Sequence, residues 1–529
     1  MKVLERQSPT VAGDRKPPTV AGDRKPPTVA GDRKPQTQVV IDEARRRGRL
    51  RRTRAGLALV LLVGVGVAVA GVIGGGGPGA RKALPARPRG PAAVDATAWH
   101  GHGSLAFVSR GRLEVVGNDG ARSGVSGPVG GTDTNPSWSP GGEWLAYLNT
   151  GPGSGSSMPA PTLWLLHVGE STAREVTTAG IEQFAWSPTA DVLAFTTFAG
   201  ATSPGGLWTD VPGAAPTRLV AGPGIGDIAW TPRGTRLAFD DDLPVAESGT
   251  GHPVSSIDTV AATGGAAHLA YRQVGGTALR LAGWWPGGNG LLFWVDVANS
   301  ASLEATGLSL YGLATGSRAP VLVTSGLAGQ EWVAPSPTGP DVAIVAGGDR
   351  TLWSPGRDVE RCGFPSRVCQ KVAIPAGSVG LAPEWTPSGG LIYTVAAAAA
   401  PDGLSGGYSS RSIAQQDATS RLYLLAPGAK AARLVVQAGA GVVAAQVGGT
   451  GGALLIVRRN GLWLASLSSS TPAVRIAHPL FSTAAPSGYY GEVDWPGTFA
   501  WSRGVGSSGG GGSAGAFGVS MSGPSPETP

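Results

Sequence analysis

Two short patterns, each found eight times and alternating along residues 95–503, predict an all-β fold: a β-propeller of seven or eight four-stranded blades. The first pattern is a strand ending in Trp, a Ser/Thr-Pro-x-Gly turn and a second strand, as in PSWSPGGEWLAYL from Pro136. The second is an apolar run carrying Leu-Trp or Leu-Tyr, as in TLWLL from Thr162. Composition agrees: 85 Gly and 43 Pro in 529 residues, with 41% hydrophobic residues and 16 Trp, suit short strands joined by many turns.

The chain begins differently. Residues 9–35 are PTVAGDRKP three times over, with Pro at both ends of each unit and no aromatic residue. Such a segment buries too little apolar area to offset the entropy of ordering, so residues 1–54 are expected to be a disordered basic tail. Its repeats read as a duplicated spacer or as a docking tail that presents Thr10, Thr19 and Thr28 three times over, with phosphorylation as one means of control. The tail holds 15 Lys and Arg against 6 Asp and Glu, a balance of +9, which leaves 27 against 29 for the rest. The basic character therefore belongs to the tail. A near-neutral body has no general attraction for a phosphate backbone, which excludes nucleic acid as its expected partner.

No charged residue occurs from Ala55 to Ala80, and LALVLLVGVGVAVAGVI approaches the roughly 20 apolar residues that cross a bilayer. Seven arginines lie between Arg45 and Arg54, immediately before it. Positive charge on that side predicts a transmembrane helix over 55–76 with the N-terminus cytoplasmic, a linker over 77–94, and the propeller outside the cell membrane. The arginine run is suited to anionic lipid. A cleaved signal peptide, with a site near Ala68 and Ala70, is the competing reading, and Arg51-Arg52 leaves a twin-arginine signal open. Gly64 with Ala68, and Gly66 with Ala70, give the spacing through which two such helices pack as a homodimer.

The repeats then run in order. Trp-ended copies fall at Trp99, Trp138, Trp186, Trp230, Trp284 and Trp385, with Pro335 and Val447 standing where Trp is replaced; successive copies are 39 to 62 residues apart. Proline follows at Pro140, Pro188, Pro232, Pro286 and Pro387, where it fixes φ at the second turn position. Between these copies come RLEVV, TLWLL, GLWTD, SIDTV, SLYGL, TLWSP, RLYLL and GLWLA, each expected as the third strand of its blade. A single four-stranded sheet cannot cover both of its faces, whereas sheets packed radially can. GTFAWSR around Trp501 is expected to pair with the sheet begun near Leu105 and close the ring, and 504–529 reads as a loose tail.

WSPxG followed by LAF or LAY, with the later LW or LY, resembles the PD40 (WD40-like) repeats of TolB-type propellers over residues 95–503. The usual Asp after the Pro is absent, its places being Gly141, Thr189, Arg233, Gly287, Thr338 and Ser388. The resemblance implies protein interaction rather than catalysis.

Residues suited to chemistry are few. Cys362 and Cys369 in CGFPSRVC are expected to form a disulfide in a blade loop outside the membrane. Ser405 in GLSGG and Ser508 in GSSGG fit G-x-S-x-G but lack the strand and helix that give the motif meaning. The histidines His100, His102, His167, His252, His268 and His478 are scattered; His100 and His102 read as a solvated turn, or as two contacts to a metal from one side of a strand. Asp240, Asp241 and Asp242 read as a charged loop, or as calcium or ligand contacts at a blade rim. No catalytic residue, cofactor or metal site is assigned. The expected function is binding of a protein or glycan at the cell envelope, with a transmembrane sensor and a propeller lyase or hydrolase as alternatives.

Overall fold

The computed structural model describes residues 95–502, apart from breaks at 126, 128–129, 153–158, 178, 200–204, 244–252, 297–306, 348–350, 403–406, 450–451 and 479–495. The basic tail, the apolar segment over 55–76, the linker, the C-terminal tail, Ser405, Ser508 and His252 all lie outside the described residues. Among the described residues no helix is long and apolar enough to cross a membrane.

The strands form seven antiparallel sheets. Six have four strands. The seventh has eight, but its two halves, Ala278–Leu327 and Val333–Lys371, meet only where Gly326 pairs with Ala346. The described residues thus build eight four-stranded units, numbered here as blades 1 to 8 in chain order. Blade 2 shows the pattern: Thr132–Trp138, Trp144–Thr150, Thr162–His167 and Arg174–Thr177 lie side by side in that sequence. The first strand of each unit is innermost and the fourth is the rim, which is why Arg122–Gly124 is exposed throughout and Ile225–Trp230 is buried throughout.

Alternate facing along each strand leaves apolar side chains on both sides of every sheet, and each blade covers the face of the next. Ala106 and Leu113 of blade 1 pack with Trp138 and Leu145 of blade 2. Leu207 of blade 3 packs with Ile228 and Phe239 of blade 4, and so on round the series. The last core joins Leu455, Val457 and Ile476 of blade 8 to Trp99, Leu105 and Phe107 of blade 1. This closure makes the arrangement a ring. Backbone pairing secures it: Phe499–Ser502 enters blade 1 as its inner strand, with Trp501 opposite Leu105.

Three details depart from the sequence expectation. Trp99 lies in a 3-10 turn, Ala96–Trp99, and stacks edge-on against Trp501, which takes its place on the ring. TLWSP is not a strand: Leu352 and Trp353 sit in turns and pack against Tyr408 and Ile413, while Asp358–Gly363 supplies the third strand of blade 6. Cys362 and Cys369 are bonded, yet not within a loop; they face one another across the hairpin of Asp358–Gly363 and Val368–Lys371.

Candidate functional site

At one end of the ring every part of the recurring motif has a structural partner. The indole N–H groups of Trp138, Trp186, Trp230, Trp284 and Trp385 donate to the carbonyls of Ala500, Ser137, Ala185, Ala229 and Ala334 respectively, at 2.7–3.1 Å. Each acceptor immediately precedes the equivalent position of the previous blade, so the tryptophans form a ladder around the ring. The ladder is interrupted at Pro335 and Val447, which have no such donor, and at Trp501, whose indole donates instead to the His102 carbonyl. The Ser or Thr after Trp caps the turn, as where Thr386 Oγ1 accepts from the Gly390 N–H at 2.8 Å. Glycine closes the turn with φ of +66° at Gly234 and +84° at Gly389. A Cβ at Gly234 would lie 2.5 Å from Ser187 Oγ and Thr189 Oγ1 of the previous blade. Pro140, Pro188, Pro232, Pro286 and Pro387 occupy these same turns, between the first and second strands.

The opposite end carries the connections from second to third strands and the starts of the inner strands. There the inner strands of blades 2, 3, 4, 5 and 7 slip register one to five residues before Trp, over Thr134–Ser137, Ile181–Phe184, Ile225–Ile228, Leu281–Gly283 and Leu381–Glu384. Such bulges re-aim side chains away from the alternation of the strand. In blades 3, 4 and 5 they gather charge. Glu182 and Gln183 come from blade 3, Asp227, Asp240 and Asp242 from blade 4, and Arg280 from blade 5.

Arg280 Nη1 lies 3.2 Å from Asp242 Oδ2, with 16% of its side chain exposed. Asp240 is buried and its two oxygens accept from the Asp227 and Leu281 N–H groups at 2.8 and 2.9 Å, which ties blade 4 to blade 5. The missing side chain of Gly226 admits this carboxylate: a Cβ there would lie 2.5 Å from Asp240 Oδ1 and 3.7 Å from Glu182 Oε1. Burial, with Asp227 close by, pushes the Glu182 carboxyl up to about 8 despite the opposing effect of Arg280. Burial and Asp227 raise Asp240 well above its ordinary range as well. The guanidinium of Arg280 goes the other way: burial opposes its charge, but Asp242, Asp240, Asp227 and Glu182 together strengthen it. Four carboxyl groups thus act electrostatically on one guanidinium, and two of them, Glu182 and Asp240, hold their protons above the ordinary carboxylate range.

A further group reaches this set from the far side. Between blades 5 and 6 the chain makes a 3-10 turn, Gln330–Trp332, and the inner strand that follows is only Val333–Pro335. Gln330 Oε1 accepts from Gln183 Nε2 at 3.2 Å, and Gln330 Nε2 donates to the carbonyls of Leu281 and Ile228 at 3.1 and 3.4 Å.

The sequence reads Asp240, Asp241 and Asp242 as a charged loop, or as contacts at a blade rim. They lie instead within the strand Arg236–Leu243, with Asp240 stapling two blades. Glu182, Asp227 and Arg280 were not singled out, although each is a charge inside an apolar strand, three or four residues before its Trp. His100 is exposed and His102 half-buried in the turn beside Trp99, and not on a strand; His167, His268 and His478 belong to three other blades. Among the described residues, one set of three His, Cys, Asp or Glu groups brings its ligand atoms within 4.8 Å, namely Glu360, Cys362 and Cys369. Its two sulfurs are taken by the disulfide.

No protein-family model and no curated protein matches the chain. Solved structures similar to it include a prolyl endopeptidase, at 12% identity over 67% of this chain and 51% of that one, with a TM-score of 0.43. The β-propeller domain of the trilobed protease from Pyrococcus furiosus is similar at 9% identity over 68% and 98%, with a TM-score of 0.40. TolB from Acinetobacter baumannii is similar at 16% identity over 51% and 63%, with a TM-score of 0.32. The chain spans about half the length of the prolyl endopeptidase.

Proposed function

We propose that this chain is a membrane-anchored recognition module at the cell envelope, whose ring takes a cationic segment of a protein partner at the mouth formed by blades 3, 4 and 5. One observation carries the reading: Arg280, 3.2 Å from Asp242, lies within electrostatic reach of three further carboxyl groups, Glu182, Asp227 and Asp240, which gather around Gly226 and the Asp227 N–H. An ammonium or guanidinium group entering there would meet desolvated carboxyl groups and favour loss of the protons that Glu182 and Asp240 hold, so its binding should strengthen as pH rises. The turn end supports the same assignment, since its recurring residues are engaged in holding blades together. The apolar segment over 55–76 would be the anchor, and a signal passed to the tail over 1–54 is compatible with this reading.

The test is titration of the full chain with lysine- and arginine-bearing peptides, and with acidic peptides of equal length, at two salt concentrations. Basic peptides should bind and weaken with salt, while equal binding of both sets would refute the reading. A second reading, a lyase or hydrolase, has one observation in its favour. Glu182, held protonated to about 8, is in the range of a general acid. Turnover of a polysaccharide or peptide panel that is lost in Glu182→Gln would establish it.

A further inference from the structure

We propose that Gln330 is the positioning residue of this mouth: a side chain delivered from blade 6 into the ring, which fixes the spacing of the charges on blades 3, 4 and 5. The inference rests on reading that charged set as a binding mouth. Its three partners are Gln183, Ile228 and Leu281. Each stands next in sequence to a charged member of the set, namely Glu182, Asp227 and Arg280. Gln330 stands in the turn between blades 5 and 6, and through these three partners one side chain joins the inner strands of blades 3, 4 and 5.

The local structure is shaped for this. Blade 6 gives up most of its inner strand to the turn Gln330–Trp332, and its ladder position is Pro335, which has no indole to hold the wall in register. Gln183 passes the constraint on. Its Nε2 is held by Gln330, which turns its Oε1 toward the Ile228 N–H, and that N–H donates to it. An amide suits position 330 because it accepts from Gln183 and donates to two carbonyls at once; a carboxylate of the same shape has no donor.

Hydrogen–deuterium exchange of the full chain tests this without any ligand. In Gln330→Ala, peptides covering Ile225–Trp230 should exchange about tenfold faster, with peptides covering Trp138–Trp144 unchanged. Gln330→Glu at neutral pH should behave like Gln330→Ala, because it fills the space but cannot donate. Should Gln330→Ala fold poorly, Gln330→Met keeps the length of the side chain without its amide, leaves Gln183 and its bond from the Ile228 N–H in place, and should give the same local rise. Unchanged exchange at Ile225–Trp230, an equal rise in the turn-end peptides, or full protection in Gln330→Glu would overturn the proposal. A local rise supports it even where no basic peptide binds, so failure of the mouth as a binding site is separately visible.

Discussion

The turn end and the mouth of this ring use polar groups in opposite ways. At the turn end each donor meets one acceptor on the preceding blade, and the same arrangement recurs from Trp138 to Trp385 with little variation. At the mouth the polar groups do not repeat. Asn135, Glu182, Asp227 and Arg280 occupy comparable places on successive inner strands, and the last three are ionisable groups of both signs. Repetition marks what holds the blades together, and departure from it marks where chemistry is concentrated. The same contrast explains why bulges precede the Trp: they release the mouth residues from the alternation that the turn end keeps.

The largest effect should come from breaking the ladder. Trp230→Ala removes a buried side chain and leaves the Ala185 carbonyl without its donor. It should lower unfolding free energy by about 3–5 kcal/mol in denaturant titration, and Trp230→Phe by about 1–2 kcal/mol. A loss as small for Ala as for Phe would show that the ladder matters little to stability.

The mouth should respond to pH where the turn end does not. The folded-state pKa of Glu182 is raised to about 8, whereas an unfolded glutamate titrates at about 4.3. Between those values the folded state holds more protons than the unfolded one, so stability falls as pH rises through this window. Glu182→Gln cannot ionise and should flatten the fall, gaining about 1–3 kcal/mol over the native chain at pH 8 and little at pH 5, after allowance for partial exposure. Parallel pH profiles for the two proteins would contradict the assignment.

A smaller change sharpens the turn end. Gly234→Ala places a Cβ at a φ of +66° and against Ser187 Oγ and Thr189 Oγ1 of the preceding blade. It should cost about 1–2 kcal/mol, against about 1 kcal/mol at Gly213, where φ is +95° and nothing lies within 4 Å. Equal losses would mean that the contact with the preceding blade contributes nothing.

Much of the ring was legible in the chain because blade packing imposes the same residues every turn. The strand, the Trp, the turn and its Gly recur at a spacing that only stacked sheets explain, and the pairing of Trp501 with the first blade followed from the need to cover an edge. Trp99 misled because Trp-x-x-x-Gly before LAF mimics the motif, although among the described residues no strand precedes its turn. TLWSP misled because its spacing is right, while its Pro355 and Gly356 direct the chain into turns. The mouth was harder to read. Glu182, Asp227 and Arg280 are separated by about fifty residues from one another, and only blade order and bulges bring them together. Gln330 carries no pattern of its own, because its role comes from the place where one inner strand is cut short.

The most direct measurement compares, above pH 8 where Glu182 ionises, the affinity of a lysine-bearing peptide for three full chains: the native one, Glu182→Gln with Asp227→Asn at the mouth, and Arg233→Ser at the turn end. The account predicts that the mouth variant binds at least about tenfold more weakly while the turn variant binds as the native chain does. Native-like binding by the mouth variant, with a loss confined to Arg233→Ser, would contradict it.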